Sequence, residues 1–155
     1  MGYYFYYIAT EKTDINVLTH QLASSLKSVH NAYSVECFTE GETSFDLYHN
    51  DLIVTQIDCK SEDNSFREVI EYLQEQLISE SPNKGLVLSV LRDAKDVFMM
   101  QALYAHACGT WEKWFDLFRP ICNWFNANVP GLFYAENDGF YLSDKLVLPS
   151  KKYED

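Results

Sequence analysis

Acidic residues grouped in the chain are the first candidates for chemistry, and one such group comprises Asp46, Asp51, Asp58, Glu62 and Asp63. Paired carboxylates can act as general acid and base, and regularly spaced oxygen ligands can bind calcium. This segment lacks the calcium-loop pattern, in which ligands alternate around a glycine. Because acidic side chains at strand ends and turns are usually solvated, we predict neither a catalytic pair nor a metal site here.

The best candidates for zinc ligands are His106 and Cys108, with Cys122 following further along the chain. A histidine and a cysteine two residues apart are not a usual tetrahedral pairing, and the chain has no second close pair. On a helix these two side chains point in different directions, so they cannot act as nucleophile and base. The chain also lacks a nucleophile elbow, a Walker A loop and a dinucleotide-binding glycine motif. We predict no catalytic residue, metal or cofactor, and four reduced cysteines.

Negative charge is concentrated in one part of the chain. Twelve of the 23 acidic residues lie between Glu36 and Glu80, where Lys60 and Arg67 are the two basic residues, so this stretch has a formal charge of −10. Such a surface speeds encounter with a positively charged partner. The net charge of −11 argues against nucleic acid or an anionic membrane as a ligand, since both bind through lysine and arginine.

Glu68, Glu71 and Glu75 are spaced three and four residues apart, which predicts one exposed stripe on a helix, bordered by Tyr72. Like charges at this spacing destabilise an isolated helix. The stripe is either a solvated helix face or part of a docking surface. On the second interpretation we predict that a basic protein binds at Asp46, Tyr48, Asp51, Glu68, Glu71, Tyr72 and Glu75.

The elements that must position these residues follow from periodicity and capping signals. Residues 3–9 are all aromatic or aliphatic, which indicates a strand that is central in its sheet or uses one face for binding. Asp14 can cap a helix that extends to about residue 30. The remaining elements up to residue 91 are strands at 33–38, 45–48, 52–57 and 86–91, and a helix opened by a capping box at Ser65–Glu68.

This order predicts an α+β fold in which an antiparallel sheet carries helices on one face, with a ferredoxin-like element order in residues 1–91. Residues 93–155 form a helical and hairpin extension. We favour a helix over a strand for residues 97–108, and a second helix begins after Thr110 and should kink or break at Pro120. A hairpin turns at Glu136–Gly139. We expect one domain, 1–150, and a polar tail, 151–155.

The start of the chain has no basic or small-residue signal-peptide pattern, and no apolar run approaches the length of a membrane span. A cytoplasmic location is therefore expected. The chain is also rich in aromatic residues, with 11 Tyr, 10 Phe and 3 Trp. Trp111, Trp114, Phe115 and Phe118 recur at helical spacing, which predicts core packing or an exposed binding patch.

This short, acidic, aromatic-rich profile resembles that of the cytoplasmic immunity proteins of bacterial polymorphic toxin systems. The resemblance is carried by the acidic run Glu36–Glu80 and by Tyr48, Tyr72, Trp111 and Trp114. It implies a stoichiometric inhibitor whose carboxylates occupy the positions that nucleic-acid phosphates take on a nuclease toxin. The oligomeric state stays open.

A different class of function is a small-molecule-binding regulatory module or small enzyme, with a pocket between the sheet and the helices of residues 93–128; a plain scaffold subunit is a third. An apolar pocket with convergent polar groups would favour the small-molecule class. A flat or convex acidic face without such a pocket would favour the inhibitor.

Overall fold

The computed structural model describes residues 3–37, 43–61, 63–77, 82–103, 110–136 and 138–149. Its strands are β1 (Tyr3–Ala9), β2 (Tyr33–Cys37), β3 (Ser44–His49), β4 (Leu52–Ser61), β5 (Asp96–Ala102), β6 (Gly131–Ala135), β7 (Gly139–Leu142) and β8 (Lys145–Pro149). Its helices are α1 (Ile15–Val29), α2 (Asn64–Glu75), α3 (Lys84–Asp93) and α4 (Trp111–Asn128). The strands form one antiparallel sheet in the order β2-β3-β4-β5-β1-β6-β7-β8, so the predicted α+β class is confirmed.

Strand β1 lies in the interior of the sheet, as its apolar composition predicted. It pairs with β5 on one side and with β6 on the other, so that Phe5 lies opposite both Met100 and Ala135. Its side chains alternate between two core clusters, with Phe5 in one and Tyr6 in the other. A strand buried on both faces needs apolar residues at every position, which explains the unbroken run.

Helices cover both faces of the sheet, so the expectation of helices on one face is wrong. α1 and α4 pack with Phe5, Tyr7 and Ala9 on one face, which we call the α1/α4 face. α2 and α3 pack with Tyr6 and Ile8 on the other, the α2/α3 face. The physical reason is that β1, β5 and β6 present apolar side chains in both directions, and each side must be removed from water.

Two apolar segments were assigned the wrong structure: we predicted a strand for residues 86–91 and favoured a helix for residues 97–108. Residues 86–91 lie in helix α3, where Val87 and Leu91 are buried while Leu86 and Leu88 are exposed. Burial of residues four apart is typical of a helix. The composition of a short apolar run does not by itself distinguish a helix from a strand.

Residues 97–102 lie in strand β5 between β4 and β1, where we had favoured a helix. Val97 packs in the core of the α2/α3 face and Phe98 in that of the α1/α4 face. Since both faces of β5 are buried, its sequence shows no alternation. The ferredoxin-like order is consequently not confirmed, and residues 104–109 of the proposed helix lie outside the described ranges.

Side-chain caps begin three of the helices. Asp14 Oδ1 accepts a hydrogen bond from the Asn16 N–H at 2.9 Å, and the Thr110 hydroxyl oxygen accepts one from the Lys113 N–H at 3.4 Å, as predicted. α2 is capped by Asp63, whose Oδ1 accepts from the Phe66 N–H at 2.8 Å. The capping box predicted at Ser65 is therefore wrong, because the helix has already begun at that residue.

Helix α4 runs without a break through Pro120. Proline lacks the N–H that would bond to the carbonyl of the preceding turn, and it costs about 3 kcal/mol in a helix interior. Buried side chains on both sides of Pro120 offset this cost, since Phe118 precedes it and Ile121 follows it, both with no exposed surface. The predicted break does not occur, because the helix is held against the sheet on both sides of the proline.

The hairpin predicted around residues 136–139 is confirmed as β6 and β7, in which Phe133 lies opposite Tyr141. Strand β8 then extends the sheet through Phe140 and Leu148, and it was not predicted. Within the described part of the chain, none of the helices has the length and apolar character to cross a membrane. The expected tail, 151–155, lies outside the described residues.

Candidate functional site

The α2/α3 face of the sheet is apolar over only part of its width. The core cluster on this face takes strand residues from β1, β5, β6, β7 and β8, and none from β2, β3 or β4. The cross-strand register places polar residues on this side of β2, β3 and β4 instead. We call this region the polar sheet face, and it comprises Ser34, Glu36, Asp46, Tyr48, Gln56 and Asp58.

Asp46 is the unusual member of the polar sheet face, because its residue surface is only 4% exposed. Its Oδ2 accepts a hydrogen bond from the Tyr48 hydroxyl at 3.4 Å, whereas its Oδ1 is buried with no hydrogen-bond partner among the residues that the structure describes. Burial raises the pKa of Asp46, the nearby Glu36 raises it further, and the Tyr48 hydrogen bond opposes the shift. Buried carboxylates normally have partners for both oxygens, and Asp46 Oδ1 has none within the described ranges.

A second buried carboxylate of the sheet, Asp96, has hydrogen-bond donors for both of its oxygens. Asp96 has no exposed surface, and its Oδ2 accepts hydrogen bonds from the N–H and the hydroxyl of Thr13 at 2.7 and 2.8 Å. Its Oδ1 accepts a further bond from the Ser61 hydroxyl. These bonds tie β5 to β4 and to the segment before α1. Asp96 is therefore a structural residue, in contrast to Asp46.

Asp58, at the margin of the polar sheet face, is also well supplied with partners. Its Oδ2 lies 2.9 Å from Lys60 Nζ, and its Oδ1 accepts hydrogen bonds from the hydroxyls of Ser44 and Thr43 at 3.1 and 3.2 Å. One of the two basic residues of the acidic stretch is thus already engaged. Among the described residues, no cation lies within 4.0 Å of the carboxylate of Asp46 or of Glu36 on this face.

Asp51 lies in the two-residue turn between β3 and β4. Asn50 and Asp51 have φ angles of 50° and 66°, the left-handed conformation required at both central positions of a type I′ hairpin turn. Asparagine and aspartate tolerate this conformation better than most residues. The conformation explains the Asn–Asp pair structurally, and the side chain of Asp51 remains exposed.

Glu68, Glu71 and Glu75 are exposed on the outer surface of α2, as the spacing predicted. Among the described residues, none of the three makes an ion pair within 4.0 Å. Tyr72 has a different setting, because it is half-buried with its ring centroid 5.9 Å from that of Tyr6. Tyr72 helps to hold α2 on the sheet, and its role in partner binding stays a prediction.

The seven residues predicted to bind a partner therefore occupy four settings. Asp46 and Tyr48 are hydrogen-bonded to each other on β3, and Asp51 is in the turn that follows. The three glutamates line the outer surface of α2, and Tyr72 lies on the side of α2 that faces the sheet. The polar sheet face and α2 lie on the same side of the sheet. What the sequence missed is the burial of Asp46, since alternation on β3 suggests an exposed residue.

A separate cavity lies on the other side of the sheet, between α4 and strands β1, β6 and β7. Its volume is about 590 Å³, within the range of small-molecule sites. This position matches the pocket expected for the small-molecule class of function. The residues that line it include Tyr3, Phe5, Trp111, Phe115, Arg119, Cys122, Asn123, Asn126, Phe133, Asp138, Tyr141 and Asp144.

Aromatic rings form one wall of this cavity. Trp111 is 38% exposed. Its ring centroid lies 5.1 Å from that of Tyr3 and 6.1 Å from that of Phe5. The Arg119 guanidinium lies over the Phe115 ring, 5.3 Å from its centroid. On the hairpin side, the Tyr141 hydroxyl donates a hydrogen bond to Asp138 Oδ2. The cavity thus combines apolar surface with convergent polar groups.

Among the described residues that line the cavity, no thiol is activated. Burial raises the pKa of Cys122 to about 12 against a smaller opposing effect of Arg119, so the sulfur stays protonated near neutral pH. Burial has the same effect on Cys59. Both are free thiols, and the side chains of Cys37 and Cys108 lie outside the described part of the chain, as does His106. No group of three metal-ligating side chains occurs among the residues that the structure describes.

Comparison of the chain with protein-family models, with curated proteins and with solved structures finds no match. Function must therefore be inferred from the chain's own side chains.

Proposed function

We propose that this protein binds a basic protein partner through the polar sheet face and the exposed carboxylates of α2, and neutralises it as an immunity protein neutralises a nuclease toxin. The observation that supports this most directly is the buried Asp46 Oδ1, which has no hydrogen-bond donor in the described part of the chain. An unsatisfied buried acceptor costs roughly 1–3 kcal/mol, and more when it is charged. An arginine or lysine of the partner would supply both the donor and the opposite charge.

The remaining acidic residues would act at longer range. Glu68, Glu71 and Glu75 are exposed and unpaired by cations among the described residues, so their field extends into solvent. Such charges raise the rate of association with a positive surface, whereas a buried pair chiefly slows dissociation. Asp46 would therefore govern the lifetime of the complex and the α2 carboxylates its rate of formation.

In this proposal the partner's basic surface is the one that otherwise holds nucleic-acid phosphates, and the inhibitor works by occupying it. The proposal places the protein in the cytoplasm, with one molecule bound to each toxin domain. No reaction is required of the inhibitor, in keeping with the protonated thiols of Cys59 and Cys122.

The test compares three proteins immobilised on a support and exposed to lysate of the native host at low and at moderate salt. The wild type is compared with Glu68→Lys/Glu71→Lys/Glu75→Lys and with Asp46→Asn. We expect a basic protein to be retained by the wild type, to associate more slowly with the triple variant, and to dissociate faster from Asp46→Asn.

The matched control reverses three exposed carboxylates outside the acidic stretch, in the variant Glu11→Lys/Glu112→Lys/Asp116→Lys. It changes the net charge by the same amount as the α2 variant. Equal retention by the wild type and both triple variants would show that the α2 stripe is a solvated surface and would defeat the proposal. Equal loss from both triple variants would indicate adsorption driven by net charge alone.

The second candidate function is binding of a small molecule in the cavity between α4 and the sheet. The observation that favours it is the combination of about 590 Å³ of space with an aromatic wall and convergent polar side chains. None of the seven residues assigned to partner binding lines this cavity. The two functions therefore depend on opposite sides of the sheet and can be tested separately.

A fragment library tests the second candidate, with the Trp111 indole signal followed by NMR. Fragments that bind in the cavity should shift this signal in the wild type. They should fail to do so in Asn123→Trp, which places a bulky ring on an exposed lining position of α4. If no fragment shifts the signal in the wild type, the cavity is not a ligand site.

A further inference from the structure

We infer that the ligand of the cavity between α4 and the sheet is a small organic cation, an amine or ammonium group attached to an apolar body. This inference rests on the second proposed function and adds to it the chemical class of the ligand. It is argued from three properties of the cavity: its aromatic wall, the balance of its charges and the position of its one described arginine.

The aromatic wall suits both parts of such a ligand. Tyr3, Phe5, Trp111, Phe115 and Phe133 contribute rings to the lining, and Phe5 and Phe133 are almost fully buried beneath it. An apolar body that covers this wall removes aromatic surface from water on both sides. The faces of aromatic rings also attract cations, with tryptophan the most effective, and Trp111 lies at the accessible edge.

Charge in the lining is weighted toward acid. Asp138 and Asp144 line the side formed by the β6–β7 and β7–β8 turns, and Arg119 lines the α4 side. Within the described ranges, neither aspartate makes an ion pair at 4.0 Å or less. Two carboxylates against one guanidinium favour a positively charged ligand group on the hairpin side of the cavity.

Arg119 is already occupied with an aromatic ring of the protein. Its guanidinium lies 5.3 Å from the centroid of Phe115, four residues earlier on the same helix. This contact holds the arginine along α4, and the two aspartates in the same lining disfavour an anion in the cavity. Arginine stacked on an aromatic ring can in addition extend the flat surface that receives the apolar body.

The experiment uses three probes of similar size that differ in charge: phenethylamine, 2-phenylethanol and 3-phenylpropionate. Each is titrated into the full-length protein at pH 7, and the Trp111 indole signal reports occupancy. We expect phenethylamine to bind about tenfold more tightly than the alcohol, since ring attraction and two carboxylates act on its charge. The propionate should bind more weakly than either.

The variant Asp138→Asn/Asp144→Asn should remove the preference for the amine and leave affinity for the alcohol unchanged. The control, Glu112→Gln/Asp116→Asn, removes two exposed carboxylates of α4 that do not line the cavity and should behave as the wild type does. Unchanged amide spectra verify that both variants are folded.

The outcomes separate the two levels of the inference. Tighter binding of the alcohol or the propionate, or an amine preference that survives in Asp138→Asn/Asp144→Asn, overturns the cationic ligand while the cavity remains a small-molecule site. If no probe shifts the Trp111 signal although library fragments do, the cationic class is likewise overturned. If neither the probes nor the library fragments shift the Trp111 signal, the second proposed function is overturned as well.

Discussion

The Tyr48 hydroxyl donates a hydrogen bond of 3.4 Å to Asp46 Oδ2 on the same side of β3, and no described residue donates one to the other, buried Asp46 oxygen. Across the neighbouring strand, Glu36 lies opposite Asp46 and adds a second negative charge. Like charges directly opposite each other on a sheet are destabilising. The buried oxygen and the like-charged neighbour lower the free energy of unfolding of the isolated protein. In the proposed complex, a basic side chain of the partner would supply the donor and the opposite charge.

The first prediction is that Asp46→Asn raises the free energy of unfolding at pH 7. The pKa of Asp46 is raised in the folded state, so stability contributed by its protonated form is present at low pH and is lost as pH rises through that value. Asparagine does not ionise, so the advantage of the variant should shrink as pH falls through the raised folded-state pKa of Asp46 and should be gone below about 4, the usual pKa of an unfolded aspartate. Thermal unfolding from pH 3 to 8 measures this, and an asparagine variant less stable than the wild type at pH 7 would contradict it.

The second prediction concerns the effect of the three α2 glutamates on the free energy of unfolding. Glu68→Lys/Glu71→Lys/Glu75→Lys should leave the free energy of unfolding unchanged, because the side chains are exposed and contribute no ion pair among the described residues. Changes in repulsion are worth only about 0.2–0.5 kcal/mol per pair on a helix. Urea denaturation checks this. A loss of several kcal/mol would mean that the glutamates hold α2 in place and are not primarily for binding.

The third prediction separates two tryptophans on one helix. Trp114 has no exposed surface, and its Nε1–H donates a hydrogen bond of 2.8 Å to the Val54 carbonyl of β4. Trp114→Ala should cost about 3–5 kcal/mol through cavity formation, and Trp114→Phe about 1–3 kcal/mol because that buried carbonyl loses its donor. Trp111→Ala, at an exposed edge, should cost less than Trp114→Ala and abolish fragment binding. Urea denaturation of all three variants measures the stability costs, and titration followed through the backbone amide signals of the cavity lining measures fragment binding to Trp111→Ala.

The fourth prediction compares two glycines. A Cβ added at Gly131 would lie 1.9 Å from the Ile8 carbonyl oxygen, so β6 cannot approach β1 with any larger residue there. Gly131→Ala should destabilise the protein by several kcal/mol, on the order of the largest single-residue effects. Gly85→Ala meets nothing within 4 Å on helix α3 and should stabilise by about 0.5–1 kcal/mol. Melting temperatures that move together in the two variants would refute the assigned contact.

The features that could be predicted from the sequence are those whose signals are local. Asp14 and Thr110 begin helices because their side chains accept backbone N–H groups of the same turn. The glycine at 139 and the apolar runs around it specify the β6–β7 hairpin. The exposure of Glu68 and its neighbours follows from helical periodicity alone.

Only the tertiary structure decided between helix and strand for residues 86–91 and 97–102, because a short apolar run satisfies either geometry until its neighbours are known. The same holds for the sites. Asp46 is buried on a strand, β3, that pairs with both β2 and β4, and the cavity forms where α4 and the β6–β8 turns meet Tyr3 and Phe5 of β1, from the opposite end of the chain. Local periodicity determines which side of an element faces inward; the packing of distant elements determines whether a side chain on that element is covered, exposed or left without a partner.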